Sequence, residues 1–301
     1  MSSQLLKPSV LASIGRLDLI ARVVVEGFLA GLHRSSTRGL TQEFAQHREY
    51  QQGDEIRHID WRVFGRTDRL YVKEFEDETN AVVRLVVDAS ASLAFKPSLT
   101  TEGESKFDYA KYLVASIAYL AARQNDRVSL LAFSETLSIR HRPGGGRTHL
   151  HTILSLLDSL KPAGQTNFCE QLMREARTWP STGSGRGLLI LFSDLNVETS
   201  ELVDTLRRLR RAHTDVIVFH LIDRVEKEFD LKGTFEFHDL ETGEALLADA
   251  QSIRRSYLSR LNQACTTIRH ELTRYGIDYI EMDTSEPLDR ALVGYLRRRK
   301  S

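Results

Sequence analysis

Apolar residues recur along this chain with two alternating periods. Short β-branched or apolar runs occur at Val82 to Val87, Arg127 to Phe133, Gly187 to Ser193, Asp215 to Ile222 and Ile277 to Met282. Between them lie stretches with apolar positions three and four apart: Phe107, Ala110, Val114, Ile117 and Ala121; Leu150, Ile153, Leu154 and Leu157; and Leu202, Leu206 and Leu209. Ile253 to Tyr275 and Leu288 to Arg298 supply two further helices. A period near two reads as strand and a period near 3.6 as helix. Near-continuous apolar strands alternating with helices predict a mostly parallel sheet covered on both faces, an open doubly wound α/β fold. The segment Gly233 to Asp249 breaks this rhythm. Its Glu-Thr-Gly turn between extended halves predicts an inserted hairpin.

The first eighty residues follow another pattern. Leu17, Ile20, Ala21, Val24 and Phe28 predict an amphipathic helix over Leu17 to Ala30. Arg48 to Glu78 is dense in charge yet carries Tyr50, Trp61, Phe64, Tyr71 and Phe75, which is too aromatic for a disordered tail. The expected organisation is a flanking module over residues 1–80 and an α/β domain over residues 81–301. Trp61, Tyr71 and Phe75 read as core residues, and Arg48, Asp54, Arg57 and Asp60 as an internal ion-pair network.

Charge changes the picture by exclusion. Lys and Arg number 41, Asp and Glu 41, so the formal net charge is zero, without the basic excess of a dedicated nucleic-acid binder. The two cysteines, Cys169 and Cys265, make no CxxC pair, so no disulfide scaffold or structural zinc site is expected. The same cysteine usage makes a reducing cytoplasm the expected compartment, and no apolar run approaches the ~20 residues of a membrane helix and no targeting segment is read.

Candidate chemistry gathers where strands end. In an open α/β sheet, ligands bind at the carboxyl ends of the strands, where strand order reverses. Val82 to Val87 runs into Asp88-Ala89-Ser90-Ala91-Ser92, a carboxylate and two hydroxyls on alternate residues. Such hard oxygen donors suit Mg2+; the competing reading is that Asp88 and Ser90 only cap the following turn. Thr166, in a loop between helices, and Asp194, at the end of another central strand, add a hydroxyl and a second carboxylate.

This set resembles the metal-ion-dependent adhesion site of the von Willebrand factor A domain, whose Asp-x-Ser-x-Ser, Thr and Asp elements match Asp88, Ser90, Ser92, Thr166 and Asp194. The resemblance implies a six-stranded sheet in the order 3-2-1-4-5-6, with Leu137 to Arg140 as an antiparallel edge. It implies Mg2+ (or Mn2+) held directly by the serines and, in one state, Thr166, with Asp88 and Asp194 acting through water or hydrogen bonds. A partner's carboxylate would fill the remaining position. Upstream, "REYQQGDEIRHIDW" and "RTDRLYVKEFEDE", with the later "DLETGE" at Asp239 to Glu244, resemble the family called domain of unknown function 58. That resemblance implies association with a MoxR-type AAA+ ATPase. Some members carry N-terminal membrane helices, and none is read here.

Enzyme readings fit less well. A dehalogenase-like phosphatase using Asp88 as nucleophile would want Asp where Ser90 stands. A serine hydrolase would want Gly-x-Ser-x-Gly after a strand, whereas Ser184 lies before one. Gly144 to Thr148 lacks the first glycine and the lysine of a phosphate loop. His149 and His151, two apart on a helix, point away from each other. Arg207, Arg208, Arg210 and Arg211, with Arg297 to Lys300, form either solvated helix faces or a basic patch for nucleic acid or acidic lipid. The expectation is a metal-dependent protein-interaction module, not an enzyme, working with the ATPase in chaperone-like assembly or maturation of a client.

Overall fold

The computed structural model describes residues 8–12, 14–34, 47–49, 63–65, 69–73, 81–96, 104–179, 187–211 and 214–299. The chain divides into two compact units, one of residues 1–30 with 80–301 and one of Gly31–Thr79. The N-terminal helix therefore groups with the sheet domain, a different division from the one drawn at residue 80. Its amphipathic face gives the reason, since Leu17, Ile20, Ala21, Val24, Val25 and Phe28 are all buried. The helix runs from Leu17 to Arg34 (α2), after a short α1 at Pro8–Ala12.

In the smaller unit, β1 (His47–Glu49) pairs antiparallel with β2 (Tyr71–Lys73). Trp61, Phe75 and the ion-pair network expected of Arg48, Asp54, Arg57 and Asp60 lie outside the described residues or side chains.

The larger unit is built on β3 (Val82–Asp88), β4 (Arg127–Phe133), β5 (Leu137–Gly144), β6 (Gly187–Ser193), β7 (Thr214–Ile222) and β10 (Asp278–Asp283). Their order is β5-β4-β3-β6-β7-β10, all parallel except β5, which is antiparallel to β4. Numbered within the sheet, this is 3-2-1-4-5-6. The edge strand β5 extends four residues past the expected Arg140. Its alternating exposure, with polar His141 and charged Arg142 in the run, hides it from a search for apolar stretches.

The helices are α3 (Lys106–Arg123), α4 (Arg147–Ser159), α5 (Phe168–Ala176), α6 (Thr199–Arg211), α7 (Arg224–Glu228), α8 (Ala250–Arg274) and α9 (Asp289–Arg299). On one sheet face, Val86, Leu131, Leu189, Leu191, Val216 and Val218 pack with Phe168, Leu172, Leu202, Leu206, Ile268 and Leu272. The opposite face lies under α3 and α9, and both faces of β6 are buried throughout. Dual coverage explains why the central strands read as unbroken apolar runs. The expected hairpin is also present as β8 (Thr234–His238) paired antiparallel with β9 (Ala245–Asp249), separate from the main sheet. Among the described residues, no helix is long and apolar enough to cross a membrane.

Candidate functional site

The chain leaves β3 toward β4 on one side and later returns at β6 on the other, so the carboxyl ends of β3 and β6 flank the switch point. Asp88 closes β3 and is fully buried. Its Oδ1 accepts the Ser90 N–H at 3.0 Å, and its Oδ2 accepts the Ser193 hydroxyl at 2.6 Å. Burial and, next, the Asp194 carboxylate push the Asp88 acid up to about 7, against the pull of these hydrogen bonds. The Ser90 and Ser92 hydroxyl oxygens stand 3.0 Å apart, with Ser92 in a 3-10 turn over Ala91–Ala94.

Two backbone hydrogen bonds attach the Thr166 loop to this segment: Ala163 N–H to the Ala89 carbonyl and Ala91 N–H to the Gly164 carbonyl, both 2.9 Å. Gly164 makes the approach with φ +74°, and a Cβ there would meet the Glu135 side chain at 3.0 Å. Gly164→Ala is therefore expected to cost about 1–2 kcal/mol through left-handed strain. Thermal unfolding checks this, and an unchanged melting temperature would contradict it. The Thr166 side chain itself is taken by the hairpin: its hydroxyl donates to Glu241 Oε1 at 2.8 Å and its N–H to Glu241 Oε2 at 3.1 Å.

Asp194 follows β6 and precedes Leu195, a buried residue at φ +55°. That conformation costs a non-glycine residue roughly 1–2 kcal/mol, and Leu195's place in the core holds it. Asp194 Oδ2 pairs with Lys106 Nζ at 2.8 Å, while Oδ1 is buried without a hydrogen-bond partner. Lys106 also pairs with Glu226 Oε1 at 3.0 Å. It is the first residue of α3, whose cap is a reciprocal Ser105–Asp108 box. A cation at a helix N-terminus is unfavourable by the helix dipole, and Lys106 is almost fully buried. Burial works against its ammonium, but Asp194 and Glu226 more than offset this and raise its pKa. Glu226 is held by its own box, accepting the Asp223 N–H at 2.8 Å.

Beneath the site, His220 Nε2 lies 3.0 Å from the Asp194 carbonyl and Nδ1 lies 2.6 Å from the Tyr279 hydroxyl. Burial lowers its pKa to about 4, so at neutral pH the ring is uncharged, with Nε2–H donating and Nδ1 accepting.

Asp88, Ser90 and Ser92 thus converge directly, and Asp194 acts on Asp88 electrostatically. Thr166 is joined to them through its loop. Lys106 and Glu241 were not singled out from the sequence. Lys106 left one trace, a cation where a capped helix prefers an anion; Glu241 left only its turn. The donor set is two carboxylates and three hydroxyls, all oxygen. Among the described residues, no three His, Cys, Asp or Glu side chains gather to hold a metal. Such oxygens match a hard cation such as Mg2+, and the orphaned Asp194 Oδ1 is a buried acceptor with capacity for one.

The histidines and the α6 arginines make local contacts. His149 Nε2 lies 2.7 Å from the Val128 carbonyl and its Nδ1 lies 3.3 Å from His141 Nε2, while His151 is exposed. Arg207 and Arg208 pair with Asp204, and Arg210 with Asp215, over buried Leu206 and Leu209. Arg208 is exposed, whereas Arg207 and Arg210 are half-buried beside their carboxylates. Burial raises the pKa of both cysteine thiols, so neither is activated.

A 3-2-1-4-5-6 sheet with an antiparallel edge, carrying Asp-x-Ser-x-Ser at the end of its first strand, defines the class as a von Willebrand factor A-like α/β protein. More particularly, the chain belongs to the family described as "Protein of unknown function DUF58", whose model matches residues 46–267. Uncharacterised proteins of Mycobacterium bovis and Mycobacterium tuberculosis are 27% identical over 242 residues, covering 78% of this chain and 72% of theirs. Among solved structures, BatB of Bacteroides thetaiotaomicron is similar at a TM-score of 0.49 and 14% identity, over 73% of this chain and 100% of that one. The SpRpn10 VWA domain aligns at a TM-score of 0.44 and 13% identity, over 71% and 94% of the two chains.

Proposed function

We propose that this protein is a Mg2+-dependent (or Mn2+-dependent) interaction module that accepts a carboxylate from another protein. Ser90, Ser92 and Thr166 would hold the ion directly, and Asp88 and Asp194 through water or hydrogen bonds. When bound, the ion supplies a hard positive centre for a charged ligand. The observation that carries this reading is the convergence of Asp88, Ser90 and Ser92 at the sheet's switch point, beside the unpartnered Asp194 Oδ1. The partner to test first is a MoxR-type AAA+ ATPase, in chaperone-like assembly or maturation of a client in the cytoplasm. The proposal assigns no turnover. Asp88 is fully buried, with both oxygens engaged by Ser193 and Ser90, a poor arrangement for a nucleophile.

The test is capture of the ATPase by wild type and by a Ser90→Ala/Ser92→Ala double variant, with Mg2+ and with EDTA. Only wild type in Mg2+ is expected to retain it. Removing two hydroxyls leaves net charge unchanged, so nonspecific electrostatics would not produce that pattern. Equal retention in all four conditions contradicts a metal-bridged contact.

A further inference from the structure

The hairpin β8–β9 stands outside the main sheet, and a two-stranded hairpin alone is marginal in water. Leu246 and Leu247 on it are 63% and 72% exposed, so burial of its own strands does little to hold it. It is anchored along β8 and at the tip. Phe237, near the turn end of β8, stacks on Phe229, which meets Tyr257 of α8 at 4.5 Å between ring centroids, and at the base the Ala250 N–H reaches the Gly233 carbonyl at 2.9 Å. At the tip the only side chain that is not exposed between Asp239 and Glu244 is Glu241.

That tip is rigidly built. The Asp239 carboxylate accepts the N–H groups of Glu241 at 2.8 Å and Thr242 at 3.1 Å, and these bonds hold its acid below the usual range. The Asp239 N–H closes on the Glu244 carbonyl at 2.8 Å, and Gly243 turns the chain at φ +75°. This frame delivers one carboxylate across 75 residues of sequence onto both the hydroxyl and the N–H of Thr166. A hydroxyl that donates its proton to a carboxylate keeps its oxygen lone pairs for a cation.

Resting on the metal-dependent reading above, we infer that Glu241 is the chain's own carboxylate ligand for that site, delivered by the hairpin into the position a partner's carboxylate would take. The hairpin is then a competitor in cis. A partner's acidic side chain gains the site only by displacing Glu241 from Thr166, and the bound ion ties the hairpin tip to the Thr166 loop.

The experiment uses the full chain as wild type, Glu241→Gln and Asp88→Ala. Mn2+ affinity is measured by water-proton relaxation, and amide hydrogen exchange is followed with saturating Mg2+ and with EDTA. Glutamine keeps one acceptor for the Thr166 hydroxyl and removes the charge, and the exposed turn tolerates it. Metal is expected to slow exchange in 239–244 by roughly 10-fold in wild type, the response of a local opening that a ligand closes. In Glu241→Gln that protection disappears and Mn2+ binds several-fold more weakly, yet still at a site that Asp88→Ala abolishes. If wild type and Glu241→Gln bind Mn2+ equally and metal leaves the tip's exchange unchanged or faster, the inference is overturned while the metal site stands. If wild type binds no Mn2+ at all, the metal reading fails and takes the inference with it.

Discussion

Titration of the chain with Mg2+ or Mn2+ is expected to show one site, with Asp88→Ala and Asp194→Ala each weakening it at least ~100-fold, a loss on the scale of about 3 kcal/mol. Asp88 supplies charge and orients Ser90 through its backbone N–H. Asp194 carries the unpartnered oxygen. Protons compete with the ion for Asp88, so affinity should fall as pH drops through about 7 and level off above it. Metal-free stability moves the other way. The folded-state pKa of Asp88 lies above the ordinary carboxylate value of roughly 3.9, so folding favours its protonated form. Its contribution is full below the unfolded pKa and is lost as pH rises through about 7. In EDTA the melting temperature of wild type should therefore decline between about pH 4 and 7 relative to Asp88→Asn. Added Mg2+ should restore it near neutrality. Equal thermal responses to Mg2+ in wild type and Asp88→Ala would contradict the assignment.

The second large effect is on stability. Lys106→Ala is expected to cost about 3 kcal/mol, because it leaves Asp194 uncompensated in the interior. The side chains of Lys106 and Asp194 are only 4% and 7% exposed, so solvent screens the pair little. Glu226 is 26% exposed and can recover water, which keeps the estimate at the low end of the usual range for broken buried pairs. Urea denaturation measures the loss. In a double-mutant cycle with Asp194→Asn the two costs should be clearly sub-additive, since each substitution removes the same pair. A loss below about 1 kcal/mol, or simple additivity, would mean that the pair contributes little. The same lysine bears on the metal site, because its charge lowers the electrostatic cost of holding Asp88 and Asp194 close together.

Much of the fold was legible because its signals are local. The run Val82 to Val87 predicts a strand, and it is one, buried on both sides from Leu85 onward. Leu202, Leu206 and Leu209 set the inner face of α6, as their periodicity predicts. The hairpin was visible in Gly233 to Asp249 because turn residues separate two extended runs. Where patterning weakened, boundaries moved. The half-exposed edge strand β5 ran on through His141 and Arg142 because ladder hydrogen bonds, not side-chain burial, hold an edge.

The candidate site divides in the same way. Asp88, Ser90 and Ser92 lie within five residues at one strand end, so sequence by itself kept them close, while the 3-10 turn after β3 brought the two serine hydroxyls together. Asp194 was expected at the same sheet edge because it ends another central strand, and the resemblance sharpened this into one site with Thr166, because strand order is a property of the sheet. Tertiary structure alone decided the rest. Lys106 meets Asp194 across 88 residues and Glu241 meets Thr166 across 75. A lysine opening a helix and a glutamate in a turn are ordinary surface residues by local pattern. Each becomes part of the site only because packing removes water from one and a rigid turn directs the other. Desolvation and long-range placement depend on every element around them, and no window of sequence contains that information.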